Sequence, residues 1–240
     1  EISECDWSSD VCSSDLDKNI RSAIAMAIDK DGFVNVLLGG HGKVANGPFP
    51  MQDGDSLNYS FSPDKSKELL SAAGWSDSDN DGYVDKDGKN FEINFLTYPG
   101  RSELPVLAQS IQSNLKDIGI KVNINSTENY LEVMKDSKAW DILASAMVTN
   151  PTGNKEYFFD MTSLSDSPKN RGHYSNAELD ELAKTLSTTF DPDKRDELAK
   201  QMSDILVDDC GFIFVSHLQM SLVSKKNIKG LTPMPSDYYE

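Results

Sequence analysis

The sequence is poor in the residues that usually build catalytic or metal centres. Three histidines stand at 41, 173 and 217 in 240 residues, too far apart to form a local ligand motif. Two of the three cysteines fall within the first twelve positions, leaving Cys210 alone in the rest of the chain. No disulfide framework and no Cys-based zinc site follows from that spacing. There is no G-x-S-x-G elbow, phosphate-binding loop, H-E-x-x-H pair or dinucleotide fingerprint, and nothing singles out two carboxylates as acid and base. No apolar run approaches the roughly 18–20 residues of a membrane-spanning helix. Cations are also scarce: 23 Lys and Arg against 39 Asp and Glu give a net charge of −16, which argues against nucleic acid or anionic lipid as a partner. Enzyme chemistry is therefore set aside: no catalytic residue and no cofactor is expected.

What is present is a composition that folds, with 38% apolar residues and length enough for a sizeable core. Residues 1–16 stand apart from the rest. They show no apolar periodicity, and the stretch DWSSDVCSSDL (Asp6–Leu16) resembles the conceptual translation of a sequencing-library adapter. They are left out of the fold reading as a foreign leader. The leader holds five carboxylates and no cation, so the remainder carries −11.

From Asp17 the chain becomes periodic. Ile20, Ala23, Ile24, Ala27 and Ile28 recur at helical spacing, Phe33, Val34, Leu37 and Leu38 continue it, and Gly39-Gly40 ends it. Residues 46–61 read as an extended surface loop. Ser62-Pro63 opens a helix that ends near Gly74. Phe91–Thr97 reads as a strand, Leu107, Ile111, Leu115 and Ile118 mark one face of a helix, and Ile120, Val122 and Ile124 alternate as a second strand. That order predicts a parallel βαβ unit and places the chain in the α/β class. A short helix at 130–134 and a buried strand at 140–147 follow. Ser175 to Glu178 reads as a capping box with Ser175 at the N-cap, Asp191-Pro192 opens a further helix, and 212–215 and 220–223 read as strands.

Three local features invite a chemical reading. Asp77, Asp79, Asp81 and Gly82 match the first half of a calcium loop, but the twelfth position is Gly88 in place of a bidentate carboxylate; the segment reads as a turn before a hairpin through Asp87-Gly88. His217, between apolar runs, reads as a structural strand residue, His41 as solvated, and Cys210 as a small buried side chain. Asn170 to Asn176 (NRGHYSN) is a polar cluster before a helix N-terminus, where main-chain N–H groups favour anions and Arg171 adds a forked donor. Spacing alone leaves that cluster equally readable as a plain capping loop.

The ordered chain resembles family 5 extracellular solute-binding proteins, the dipeptide, oligopeptide and nickel binders of ABC importers. The likeness is carried by IRSAIAMAIDKDGFVNVLLGGHGKVANGPFP, SPDKSKELLSAAGW, DNDGYVDKDGKNFEINFLTYPG, IQSNLKDIGIKVNI, HYSNAELDELAKTLSTTFDPDKRDELAKQMSDIL and FIFVSHLQMSLVSKKNIKG, in order from about Asp17 to Gly230. It implies a periplasmic-binding-protein-like fold (class II) of two α/β lobes closing on a ligand. Residues 17–224 are then the C-terminal lobe and 225–240 the start of a return to an N-terminal lobe that is missing. It further implies export as a periplasmic protein or lipoprotein, a monomer, and an ABC permease as partner. The ligand rim is implied at two places: the loop after the strand at 140–147, with Thr149, Asn150 and Thr152, and the cluster of Arg171, Tyr174 and Asn176, with Tyr157 packing nearby and His173 a possible approach to a metal. Oligopeptide binders hold the peptide ammonium with an Asp in that loop. This sequence has no acid between Met147 and Lys155, so the expected ligand leans to a nickel or other metal chelate, with a dipeptide or oligopeptide as the alternative.

Overall fold

A six-stranded sheet is built from strands that alternate by side-chain face. The computed structural model describes residues 17–50, 59–151, 153–219 and 224–230, and the backbone of 4–11. In chain order the elements are β1 (Glu4–Val11), α1 (Lys18–Ala27), α2 (Lys30–Gly32) with a π-helical turn (Phe33–Leu37), β2 (Gly42–Val44), α3 (Pro63–Ala72), β3 (Asp85–Lys86) and β4 (Lys89–Asn90). There follow β5 (Glu92–Thr97), α4 (Glu103–Asp117), β6 (Lys121–Ser126), α5 (Tyr130–Val133), β7 (Ile142–Met147), α6 (Glu156–Thr162), α7 (Ala177–Thr188), α8 (Pro192–Asp208) and β8 (Phe212–Gln219). The large sheet has the order β2-β8-β1-β7-β5-β6, and β3 and β4 form a separate hairpin.

The predicted βαβ unit is present: β5 and β6 pair in parallel from Glu92↔Lys121 to Thr97↔Ser126, with α4 between them. β7 joins β5 in parallel, Phe95 facing Ile142. The period-2 pattern of a strand covered on both faces is plain in β8. Ile213 and Val215 enter one core with α1, α3, α4, Ile93 and Phe95. Phe212 and Phe214 enter another with Phe158, Phe159 and the apolar faces of α7 and α8. A small third cluster of Leu96, Trp140 and Leu143 lies under α5. Helices therefore cover both sheet faces, the layering expected of the α/β class. Among the described residues no helix is long and apolar enough to cross a membrane.

Several boundaries differ from the periodicity. The helix read through Leu38 breaks at Ile28, which is extended, and restarts because the Asp29 carboxylate accepts from Gly32 N–H at 2.8 Å. Apolar spacing persisted across this break because both pieces face the same core. At α7 the N-cap is Asn176 and not Ser175: the Asn176 side chain accepts from Glu178 and Leu179 N–H, while the Ser175 hydroxyl meets that of Ser165 at 2.9 Å. The segment set aside as a leader contributes a strand, since β1 pairs antiparallel with both β7 and β8. Strand pairing is a main-chain interaction, and a run of Ser and Asp carries no strand signal of its own. The strand read at 220–223, the loop residues 51–58 and the segment 231–240 lie outside the described residues.

Candidate functional site

In an open α/β sheet, ligands settle where parallel strands end at their carboxyl termini, because the loops there are free to diverge. Here β5, β6 and β7 end on one edge at Thr97, Ser126 and Met147. β8 runs in the same sense as β7, since both are antiparallel to β1, and ends on that edge at Gln219. Among the described residues three loops leave the edge: Tyr98–Ser102 into α4, Thr127–Asn129 into α5, and Val148–Lys155 into α6.

The predicted residues Thr149, Asn150 and Tyr157 belong to this edge or to the helix it feeds. Thr149 is buried, and Asn150 is half-buried with its carbonyl accepting from Gly153 N–H at 2.9 Å. Gly153 takes a φ of 75°, a conformation natural to glycine. Thr152 lies outside the described residues. Tyr157 sits half-buried in the first turn of α6. The loop ends on a brace. Asn154 Oδ1 accepts from Glu156 N–H and from Arg195 Nη2, while Lys155 Nζ lies 3.0 Å from Asp196 and 5.6 Å over the Phe49 ring.

Beside the loop stands an aromatic pair that motif reading missed. Tyr98 and Tyr130 stack with centroids 4.1 Å apart, and the Tyr98 hydroxyl accepts from Ala146 N–H at 3.2 Å. That bond ties the β5 loop to the end of β7. Burial raises the Tyr98 phenol above its ordinary pKa, so it stays neutral and keeps its dipole at the edge. Arg101 is half-buried in the same loop. The signal that could have found Tyr98 was its place immediately after a predicted parallel strand.

The second predicted cluster is elsewhere. Phe212, the first residue of β8, stands level with Leu143 across Asp10, and the Tyr174 ring packs on Phe212 with centroids 6.2 Å apart. Thr149 lies six residues beyond Leu143 along the strand direction, so the two places are roughly 20 Å apart at about 3.3 Å per residue. They occupy opposite edges of the sheet. Tyr174 Oη and Asn176 Nδ2 both donate to Asp209 Oδ2 at 2.8 Å, and Arg21 donates twice to the Asp209 carbonyl. Burial, and then the Asp209 carboxylate, hold the Tyr174 phenol well above its usual range. Asn170 closes the loop around Arg171, donating to the Leu164 and Tyr174 carbonyls and accepting from Tyr174 N–H. Arg171 and His173 are exposed on this far side, His173 with a φ of 50°. Tyr174 and Asn176 thus sit at the junction between α7, the end of α8 and the start of β8, a place separate from Thr149.

The remaining features are structural. Asp77, Asp79 and Asp85 bring carboxylate oxygens within 4.8 Å of one another. Those oxygens accept main-chain N–H groups of Ser78, Asp81 and Gly82, which makes the segment a hydrogen-bonded turn. Cys210 is buried, with its thiol 3.5 Å from the Ser22 hydroxyl.

Comparison with known proteins agrees with this architecture. The profile described as bacterial extracellular solute-binding proteins, family 5 middle, matches residues 16–170. The nickel-binding protein NikA of Staphylococcus aureus is 27% identical over 224 residues, covering 93% of this chain and 44% of that protein. The oligopeptide-binding protein AppA of Bacillus subtilis is 29% identical over 223 residues, covering 89% and 41%. Among solved structures, AppA in complex with a nonapeptide superposes with a TM-score of 0.84 at 25% identity, over 98% of this chain and 49% of that one. NikA of S. aureus with Ni(L-His)2 superposes at 0.81 over 98% and 50%, at 22% identity, a likeness of fold. The chain spans less than half the length of these curated relatives. On the profile match, which covers well over half of the residues, the chain belongs to the family 5 bacterial extracellular solute-binding proteins.

Proposed function

We propose that this chain is part of the substrate-binding component of an ABC importer, and that its carboxyl-edge loops form one wall of an interlobe ligand cleft. The protein is then extracytoplasmic, hands its ligand to a membrane permease, and works by lobe closure without catalysis. The ligand class favoured is a small anionic metal chelate. The observation that carries this choice is the chemistry of the Val148–Lys155 loop: it offers Thr149, Asn150 and Thr152 and no carboxylate before Glu156, which is itself engaged by Arg195 at 2.9 Å. A buried ammonium without a counter-charge is costly, so a free peptide N-terminus fits this wall poorly. A chelate that presents carboxylates outward meets hydroxyl and amide groups and the Tyr98–Tyr130 face instead.

The test is calorimetry on the full-length protein with Ni(II)–L-histidine and with a tri- and a nonapeptide. The chelate is expected to bind and Thr149→Val to weaken it; saturable peptide binding with no response to the chelate overturns the choice of ligand. A peptide ligand is the second reading, favoured by the superposition on the peptide-loaded AppA structure. In that case the ammonium partner must come from outside the described loop.

A further inference from the structure

Arg195 ties the turn between α7 and α8 to a segment about 40 residues earlier in the sequence. It sits in the first turn of α8, opened by Asp191 as N-cap and Pro192. Its Nη1 donates to the Leu186 and Thr189 carbonyls, both at 2.8 Å, at the C-terminal end of α7. Its Nη2 donates to Asn154 Oδ1 at 2.8 Å and to Glu156 Oε2 at 2.9 Å, at the end of the β7–α6 loop. The side chains of Arg195 and Glu156 are 25% and 20% exposed, so the pair is partly shielded and its geometry restrained. A planar guanidinium can direct donors to both sides at once, which a lysine ammonium on a flexible stem cannot do with fixed angles.

The consequence lies in what Asn154 holds. Its Oδ1 also accepts from the N–H of Glu156, the first residue of α6, at 3.1 Å, and it closes the loop only four residues after Asn150. Carbonyls at the end of α7 carry the negative end of the helix dipole, so the cation is anchored from that side and the loop is drawn onto it. Lys155, paired with Asp196 on the same turn of α8, adds a second tether in the same direction. A wall that contacts ligand through Thr149 and Asn150 keeps its shape only if its far end is fixed.

We infer that Arg195 is a positioning residue for ligand binding: it touches no ligand, and it sets the conformation of the Val148–Lys155 loop by bolting Asn154 and Glu156 to the α7–α8 hairpin. This rests on the reading of that loop as a cleft wall, and the experiment separates the two. In the full-length protein, hydrogen exchange is measured in loop 148–155 for wild type, Arg195→Ala, Arg195→Lys and Asn154→Ala, with affinity for Ni(II)–L-histidine and for a nonapeptide. Arg195→Ala is expected to speed exchange in the loop, leave β5 and α4 protected, and weaken whichever probe binds on the order of tenfold, the usual effect of losing an outer-shell support. Arg195→Lys is expected not to rescue. The double variant with Asn154→Ala is expected to bind no more weakly than Arg195→Ala alone, since both cut the same connection.

Unchanged loop exchange in Arg195→Ala overturns the inference whether or not a probe binds, as does strict additivity of the two substitutions. Should Arg195→Ala fold poorly, Asn154→Ala combined with Glu156→Gln removes only the loop ends of the clamp, and wild-type exchange and affinity in that variant overturn it equally. If Thr149→Val weakens binding while the Arg195 variants bind as wild type, the wall stands and the clamp falls. If Thr149→Val is neutral while Arg195→Ala still weakens binding, Arg195 acts by another route, and both the wall and the clamp are overturned.

Discussion

Where α8 hands over to β8, Gly211 lies flat against the ring of Tyr174. A Cβ at position 211 would stand 2.6 Å from two carbons of that ring, closer than real Cβ contacts come. The ring has little freedom to retreat, because its hydroxyl is bonded to Asp209 and it packs edge-to-face with Phe212. Gly211→Ala is therefore expected to destabilise the protein by about 2–3 kcal/mol, in the range of overpacked cores. The cost should vanish when Tyr174 is already Ala: contacting residues couple, and the double variant should melt where Tyr174→Ala does. Urea unfolding of the four-member cycle measures this. The same junction shows why spacing alone leaves this cluster open between an anion site and a capping loop. Arg171, Tyr174 and Asn176 look like an anion site because a helix N-terminus, a guanidinium and an amide occur together. The carboxylate that claims Tyr174 and Asn176, Asp209, comes 35 and 33 residues later, and no local pattern announces it.

The elements were legible wherever one stripe of apolar residues meets one core. Leu107, Ile111 and Leu115 on α4, and the alternation of Ile120, Val122 and Ile124 into β6, required nothing beyond side-chain period. Ends were harder, because a cap is chosen by partners on both sides. Ser175 and Asn176 are both good caps, and the structure selects Asn176 since its Nδ2 reaches Asp209 while its Oδ1 serves the helix. The two roles separate by substitution. Asn176→Ser keeps an acceptor for the first turn and loses the donor to Asp209, an expected loss of about 1 kcal/mol; Asn176→Ala loses both, about 2–3 kcal/mol. Denaturation midpoints should rank wild type, Ser, Ala in that order. Equal midpoints for Ser and Ala would show that the side chain matters only through Asp209. At its other end α8 closes with Cys210 N–H donating to Val207 and Gly211 N–H to Leu206, the paired bonds of a Schellman turn. The left-handed position is filled by Cys210 at a φ of 50°, where glycine is usual, which is why no sequence signal marked that stop.

Across the whole molecule the sheet carries a titratable group inside it. His217 lies in β8, opposite Lys43 of β2 and on a level with Met147 at the carboxyl edge. It was rightly read as a strand residue from its apolar neighbours, but the depth of its burial, 4% exposed, depends on layers that period alone does not count. Burial lowers its pKa from 6.5 to about 4, because a charged ring would lose its hydration. The unfolded chain therefore takes up a proton at a higher pH than the folded one. Stability associated with the neutral ring is complete above pH 6.5, falls as pH drops from there to about 4, and changes no further below that. Across the full window the loss is about 3 kcal/mol. The expected result is that wild type loses roughly 2–3 kcal/mol more than His217→Gln between pH 7 and pH 4.5, read from urea unfolding at each pH. Surface carboxylates act alike in both proteins and cancel from the difference. The loosening should be local before it is global: amides of β2 and the end of β8, around the buried ring, are expected to show lower protection relative to their intrinsic exchange rates at pH 4.5 than at pH 7, while those of β5 and β6, on the far side of the sheet, keep theirs. Equal acid sensitivity in the two proteins would mean that water reaches the ring in the folded sheet and that the β2–β8 edge is already open at neutral pH.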